Sequence, residues 1–128
     1  CSSDLDVPDL VERAYRHGNA AHFLLIKGKV DHLVHDGHFL GDVSEPQVPA
    51  LEPIGGTGDL VTGLVTGLLA GGMGMAQACL TAARASRIAG LLANPNPATQ
   101  IAKLLPFLPE ALRRALKEDA SSMRDVEA

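Results

Sequence analysis

The stretch "PIGGTGDLVTG", residues 53–63, decides how this chain is read. Gly55, Gly56, Thr57 and Gly58 form a turn almost without side chains, and Asp59 and an uncharged apolar run follow it. Glycine reaches backbone angles that a Cβ forbids, and it lets a ligand come close to the main chain. A helix opening at Asp59 adds N–H groups without intrahelical partners and the positive end of its dipole. Together these make an anion site, suited to a phosphate or a developing oxyanion. The Lys-Ser/Thr ending of a P-loop is absent, and no third glycine completes a dinucleotide-binding fingerprint. Asp59 is either a helix N-cap or a general base placed beside the anion hole, and the spacing does not choose between them.

Upstream of the turn, "VPDLVERAYRH" (7–17) carries Val7, Leu10, Val11 and Ala14 on one helical face, with Gly18 placed as a C-cap. "HFLLIK" (22–27) is a short apolar run, read as a buried strand of the kind found in parallel sheets. His32–His35 and His38–Val43 flank Asp36-Gly37, a strong hairpin signal. "SEPQVPALEPI" (44–54) holds three prolines and reads as an extended loop. Downstream, Asp59–Ala70 and Met75–Ala93 read as helices separated by "GGMG". "NPNP" (94–97) ends the second, and Ala98 to about Glu118 is helical again, split by Pro106 and Pro109. Residues 119–128 show no periodicity and are expected to be a disordered tail. The order predicts an α/β layer with its helices partly segregated.

Composition narrows the partners. The 128 residues are 46% hydrophobic with no Trp, one Tyr and three Phe, so the core is aliphatic and built on small residues. A net charge of -4 with scattered basic residues argues against a nucleic-acid partner. Leu60–Ala83 carries no charge, and Gly63, Gly67 and Gly71 recur every fourth residue. That pattern fits a membrane span, but "GGMG", Thr62, Thr66 and Gln77 interrupt it, and no membrane partner is expected. Cys79 reads as a small buried hydrophobe. Cys1 opens the chain without Met, which suggests that a segment is missing upstream; "CSSD" also fits a lipid-modified Cys, yet nothing else looks exported. With two cysteines and no CxxC, a reduced, cytoplasmic chain is expected. His32, His35 and His38, with His17 and His22 near them, are read as solvated hairpin histidines rather than a metal site, because His32 and His35 point to opposite strand faces. Arg84, Arg87, Arg113 and Arg114 are read as lying on solvated helix faces, the last two near a helix C-terminus.

"GGTGDLVTGLVTGLLAGG" resembles the Gly-Gly-Thr-Gly-Asp signature of the ribokinase-like superfamily, and is most similar to its ADP/ATP-dependent NAD(P)H-hydrate dehydratase branch. "LLIKGKVDHLVHDG" supports the resemblance with a strand, a Lys-Gly segment and a hairpin in the same order and spacing, from about residue 7 to about residue 93. The resemblance implies the C-terminal portion of a three-layer α/β/α fold over residues 1–118. It implies that Lys27, Gly28, Lys29, Val30 and Asp31 lie along the nucleotide phosphates, that Gly58 contacts the nucleotide, and that Gly55, Gly56 and Thr57 complete the anion hole. Asp59 falls at the family's catalytic acid/base. The implied cosubstrate is ADP or ATP, with Mg2+ as a further candidate.

The resemblance covers only the C-terminal half of the family fold. The N-terminal strands on the substrate side are absent, so the isolated chain is expected to be inactive. A homo-oligomer or a missing N-terminal half is expected to cover the open sheet edge. Three functions stay open: dehydration of hydrated NAD(P)H, a small-molecule kinase of the same superfamily, and a non-catalytic nucleotide-binding or assembly domain. The double glycine and the Lys-Gly segment favour the first over the second. The missing half favours the third.

Overall fold

A computed structural model describes residues 7–18 and 20–127, with side chains described as far as Asp119. Cys1 and the readings attached to it lie outside the described residues. The described residues are mixed α/β, with four α-helices and a three-stranded antiparallel sheet, and the chain divides into two compact units at Val43/Ser44.

The first unit holds α1 (Val7–Arg16) and the sheet β1 (Phe23–Ile26), β2 (Asp31–His35) and β3 (His38–Val43), in the order β1-β2-β3. Helix α1 buries Val11 and ends at Gly18, whose φ of 70° lies in the left-handed region that glycine enters at no steric cost. The Tyr15 hydroxyl then donates to the carbonyl of Ala21 at 2.6 Å and ties the helix to the entry of β1. Asp36 (φ 47°) and Gly37 (φ 88°) are both left-handed, the geometry of a tight hairpin turn whose twist matches the strands. Leu33 pairs with Gly41 and Val34 with Phe39, so β3 carries one extra residue, Leu40, as a bulge. The reading of 22–27 as a parallel-type buried strand is corrected. β1 runs antiparallel to β2, lies at the end of the sheet, and is half-buried at all four residues. A four-residue apolar run is compatible with either sheet type, and its partner strand, not its composition, settles which.

The second unit is helical: α2 (Thr57–Ala70), α3 (Met75–Ala93) and α4 (Leu108–Glu127), with 3-10 segments at Pro49–Leu51 and Ile101–Phe107. α3 is its axis and packs against both α2 and α4. Ala85, Ile88 and Ala89 of α3 meet Ala111 and Ala115 of α4, with Leu64, Leu92, Leu108 and Leu112 around them. Alanines at these positions let helix backbones approach closely without voids. Beyond Asp59 α2 carries no charge, and Thr62 and Thr66 are accommodated because their hydroxyls donate to their own helix, Thr62 to the Gly58 carbonyl at 3.0 Å and Thr66 to the Thr62 carbonyl at 2.8 Å. It stops at Gly71-Gly72, where Gly72 (φ 98°) donates to Leu69 and Met73 to Leu68, a Schellman cap. Asn94, at φ 47°, ends α3. No described helix is long and apolar enough to cross a membrane.

α4 extends through Asp119 as far as Glu127. Asp119 is held by α3: Thr81, fully buried, donates to the Asp119 carboxylate at 2.6 Å, and Arg84 pairs with the same group. Arg84 is half-buried and Arg87 buried, so neither lies on a fully solvated helix face. Arg87 is 7% exposed and donates to the carbonyls of Ser44 and Pro46 at 3.2 and 3.4 Å. Arg113 and Arg114 are exposed as expected, but they stand in the first half of α4 and pair with Glu110 rather than with a helix C-terminus.

Candidate functional site

α2 opens two residues before the expected start. Gly56 is its N-cap at φ 93°, ψ −1°, and Leu60 makes the first intrahelical bond, 3.0 Å to the Gly56 carbonyl. The N–H groups of Thr57, Gly58 and Asp59 therefore have no acceptor within the helix. No side-chain hydrogen bond caps this end. Asp59 is not the N-cap: it is the third helical residue, exposed and in the first turn, at the positive dipole end and bearing one of the three N–H groups itself.

The three glycines of the turn have different reasons to be glycine. Gly56 combines a left-handed φ with close packing, since a Cβ there would stand 3.2 Å from Cγ2 of Ile101. Gly55 and Gly58 have no positive φ, and a Cβ on either would meet nothing within 4 Å. The backbone of the turn thus faces open space at Gly55 and Gly58, and is wedged from behind at Gly56.

The Lys27–Asp31 segment lies in the other compact unit, between β1 and β2. Asp31 is fully buried, and its carboxylate accepts from the Lys27 ammonium at 2.9 Å and from the Gly28 N–H at 3.1 Å. One aspartate thereby shapes the loop and pulls back Lys27. Lys29 is exposed and Val30 half-buried. Sequence reasoning placed Asp31 along the nucleotide phosphates; its burial makes it the residue that organises the loop.

Around the hairpin, the His22 Nδ1 lies 2.8 Å and the His35 Nε2 3.2 Å from the Asp36 carboxylate, while the His32 Nδ1 lies 2.7 Å from Asp42. The hydrogen bond with His22 holds the Asp36 carboxyl below the usual range against a desolvation cost, with further help from the charges of His35, His22 and His38. The His35 ring stacks on Phe23 with centroids 4.2 Å apart. No group of three His, Cys, Asp or Glu side chains able to hold a metal occurs among the described residues. Cys79 is buried as expected, and burial pushes its thiol pKa up.

The chain is 33% identical over 114 residues to an uncharacterized protein of Methanocaldococcus jannaschii, MJ1337, in an alignment that covers 89% of this chain and 49% of that protein. The chain thus spans about half the length of the curated relative it matches. No protein-family model and no solved structure matches it.

Proposed function

We propose that the chain is the glycine-loop portion of a ribokinase-like enzyme, one that uses ADP or ATP to dehydrate hydrated NAD(P)H. The observation that carries the proposal is the opening of α2: three N–H groups without helical acceptors, glycines open to solvent on either side of Gly56, and an exposed carboxylate at Asp59. Phosphate oxygens fit that cradle, because it offers main-chain donors and a dipole and no side chain intrudes. When bound, the nucleotide would supply the phosphoryl group that turns the substrate hydroxyl into a leaving group, and loss of that phosphate would restore the double bond. Thr57, Gly58 and Asp59 donate N–H bonds to phosphate oxygens, and the Asp59 carboxylate accepts the hydroxyl proton. A Mg2+ ion brought by the nucleotide would be held by phosphate oxygens and waters, which leaves the Asp59 carboxylate free for the proton. For Lys27, Gly28, Lys29, Val30 and Asp31 of the first unit the resemblance implies a nucleotide-phosphate segment, and a cytoplasmic enzyme with either a second copy or an N-terminal half completes the reading. A small-molecule kinase would use the same turn and the same base. Its specific support is weaker, since the double glycine and the Lys-Gly segment accord better with the dehydratases.

Asp59→Asn tests this in the complete natural protein. Asp59 is not the cap, so the substitution should cost at most about 0.3–1 kcal/mol through the helix dipole. Nucleotide affinity should hold or rise slightly as a negative charge leaves the phosphates. Dehydration, followed as recovery of reduced-nicotinamide absorbance, should fall by roughly a hundred- to ten-thousandfold. Undiminished turnover would remove Asp59 from the chemistry.

A further inference from the structure

The glycine turn is held from behind at three successive points, all within the second unit. At its upstream end the buried Arg87 of α3 donates to the carbonyls of Ser44 and Pro46, at 3.2 and 3.4 Å. Three residues further along α3, Gly90 has no room for a side chain because Leu51 occupies the space; a Cβ there would lie 2.4 Å from Leu51 Cδ1. At the turn itself, Ile101 presses Cγ2, Cβ and Cγ1 on the Gly56 face, at 3.2, 3.4 and 3.5 Å from where a Cβ would be. The loop between these points contributes its own turns, with Leu51 donating to Val48 and Ile54 to Leu51, and it buries Ile54. A flexible glycine turn thereby inherits its orientation from α3 and from the 3-10 segment that follows.

We propose that Arg87 and Ile101 are positioning residues for the glycine turn. Through the 44–46 carbonyls and through Gly56 they fix the direction of the Thr57–Asp59 N–H groups and of the Asp59 carboxylate. Neither touches the ligand. The inference rests on the nucleotide reading of the turn for its effect on binding, but not for its effect on the backbone.

The two side chains make separable demands. All three Ile101 atoms nearest Gly56 survive in valine and only Cβ survives in alanine. Ile101→Val should therefore behave as wild type and Ile101→Ala should not. Arg87→Met keeps the apolar stem and removes the donors. Two readouts apply to the complete protein: backbone amide shifts of Gly56 to Asp59 without ligand, and the ADP dissociation constant. Ile101→Ala and Arg87→Met should shift those amides and weaken ADP by about ten- to a hundredfold, the scale of losing one hydrogen bond to a charged group. Ile101→Val should do neither. Leu112→Ala, which loosens the α3–α4 core, serves as the control of comparable stability loss and should leave both readouts unchanged. Unmoved amides in both Ile101→Ala and Arg87→Met overturn the proposal, as does an equal loss of ADP affinity in Leu112→Ala. Wild-type protein that does not bind ADP would overturn the nucleotide reading instead, and the amide shifts would still decide the positioning.

Discussion

Alanine substituted at Gly56 and at Gly58, two residues apart in one turn, should shift stability in opposite directions. Gly56 sits at φ 93°, where an L-residue costs about 1–2 kcal/mol. Its new Cβ would also stand 3.2 Å from Ile101 Cγ2, a contact relieved only if Ile101 gives way by a few tenths of an ångström. Against this, alanine restricts the unfolded chain and returns about 0.4–1 kcal/mol. The balance is a loss of about 1 kcal/mol, or roughly 3–6 °C in melting temperature for a chain of this size. Gly58 lies inside α2, has no positive φ, and a Cβ there meets nothing within 4 Å. Only the helix-propensity gain applies, at most about 1 kcal/mol and less in a first turn. Melting followed by far-ultraviolet circular dichroism should thus place Gly58→Ala at or above wild type and Gly56→Ala below it. Gly56→Ala melting at or above wild type would mean that the turn does not hold its left-handed residue against Ile101. Equal losses at the two positions would mean that the open space at Gly58 is filled in solution.

The Glu110 carboxyl is held near a pKa of about 2 by hydrogen bonds from Arg113 and then Arg114. A depressed carboxyl stabilises the fold above its unfolded pKa, near 4.5, and that contribution is lost as pH falls through about 2. Carboxyl NMR should find Glu110 titrating well below the other glutamates, with the gap closing in high salt because the site is exposed. The Cys79 thiol, raised by burial, should react with an aromatic disulfide reagent near neutral pH far more slowly in folded protein than in urea. Equal rates, measured in a Cys1→Ser background, would deny its burial. Asp31→Asn should lower the melting temperature by more than any exposed Asp→Asn change, because a fully buried carboxylate there anchors both Lys27 and the Gly28 N–H. A change of under a degree would show that the loop keeps its shape without the charge.

Features written in local backbone chemistry were legible in the sequence. Asp36-Gly37 gave the hairpin, "GGMG" the end of α2, and the residues before "NPNP" the end of α3, because each depends on angles that few residue types adopt. Features set by distant partners were not. Arg87 looks solvated in one dimension, but its acceptors lie more than forty residues upstream. Arg84 and Thr81 find Asp119 on α4, and no periodicity near Asp119 announces that meeting. The strand at Phe23–Ile26 has the right composition but the wrong inferred pairing, since four apolar residues do not encode a partner's direction. In the candidate site, Gly56 as the cap was hidden because it contributes no side chain. The reading therefore moved the helix start to Asp59, whose carboxylate is a strong capping group directly before the apolar run.

That displacement matters for the chemistry. The two aspartates brought forward as site residues occupy opposite environments, and the difference sorts their roles. Asp31 has no exposed surface and already accepts two donors, so moving a proton there would break the loop that it shapes. Asp59 is exposed, carries no capping duty, and stands among N–H groups that the helix does not use. An N-cap aspartate must keep its oxygen on the helix, whereas a carboxylate at the third helical position can turn toward a ligand without uncapping anything. A glycine cap releases the acid beside it. On the proposed reading, the left-handed Gly56, wedged against Ile101, is the structural condition that frees Asp59 to serve as a base.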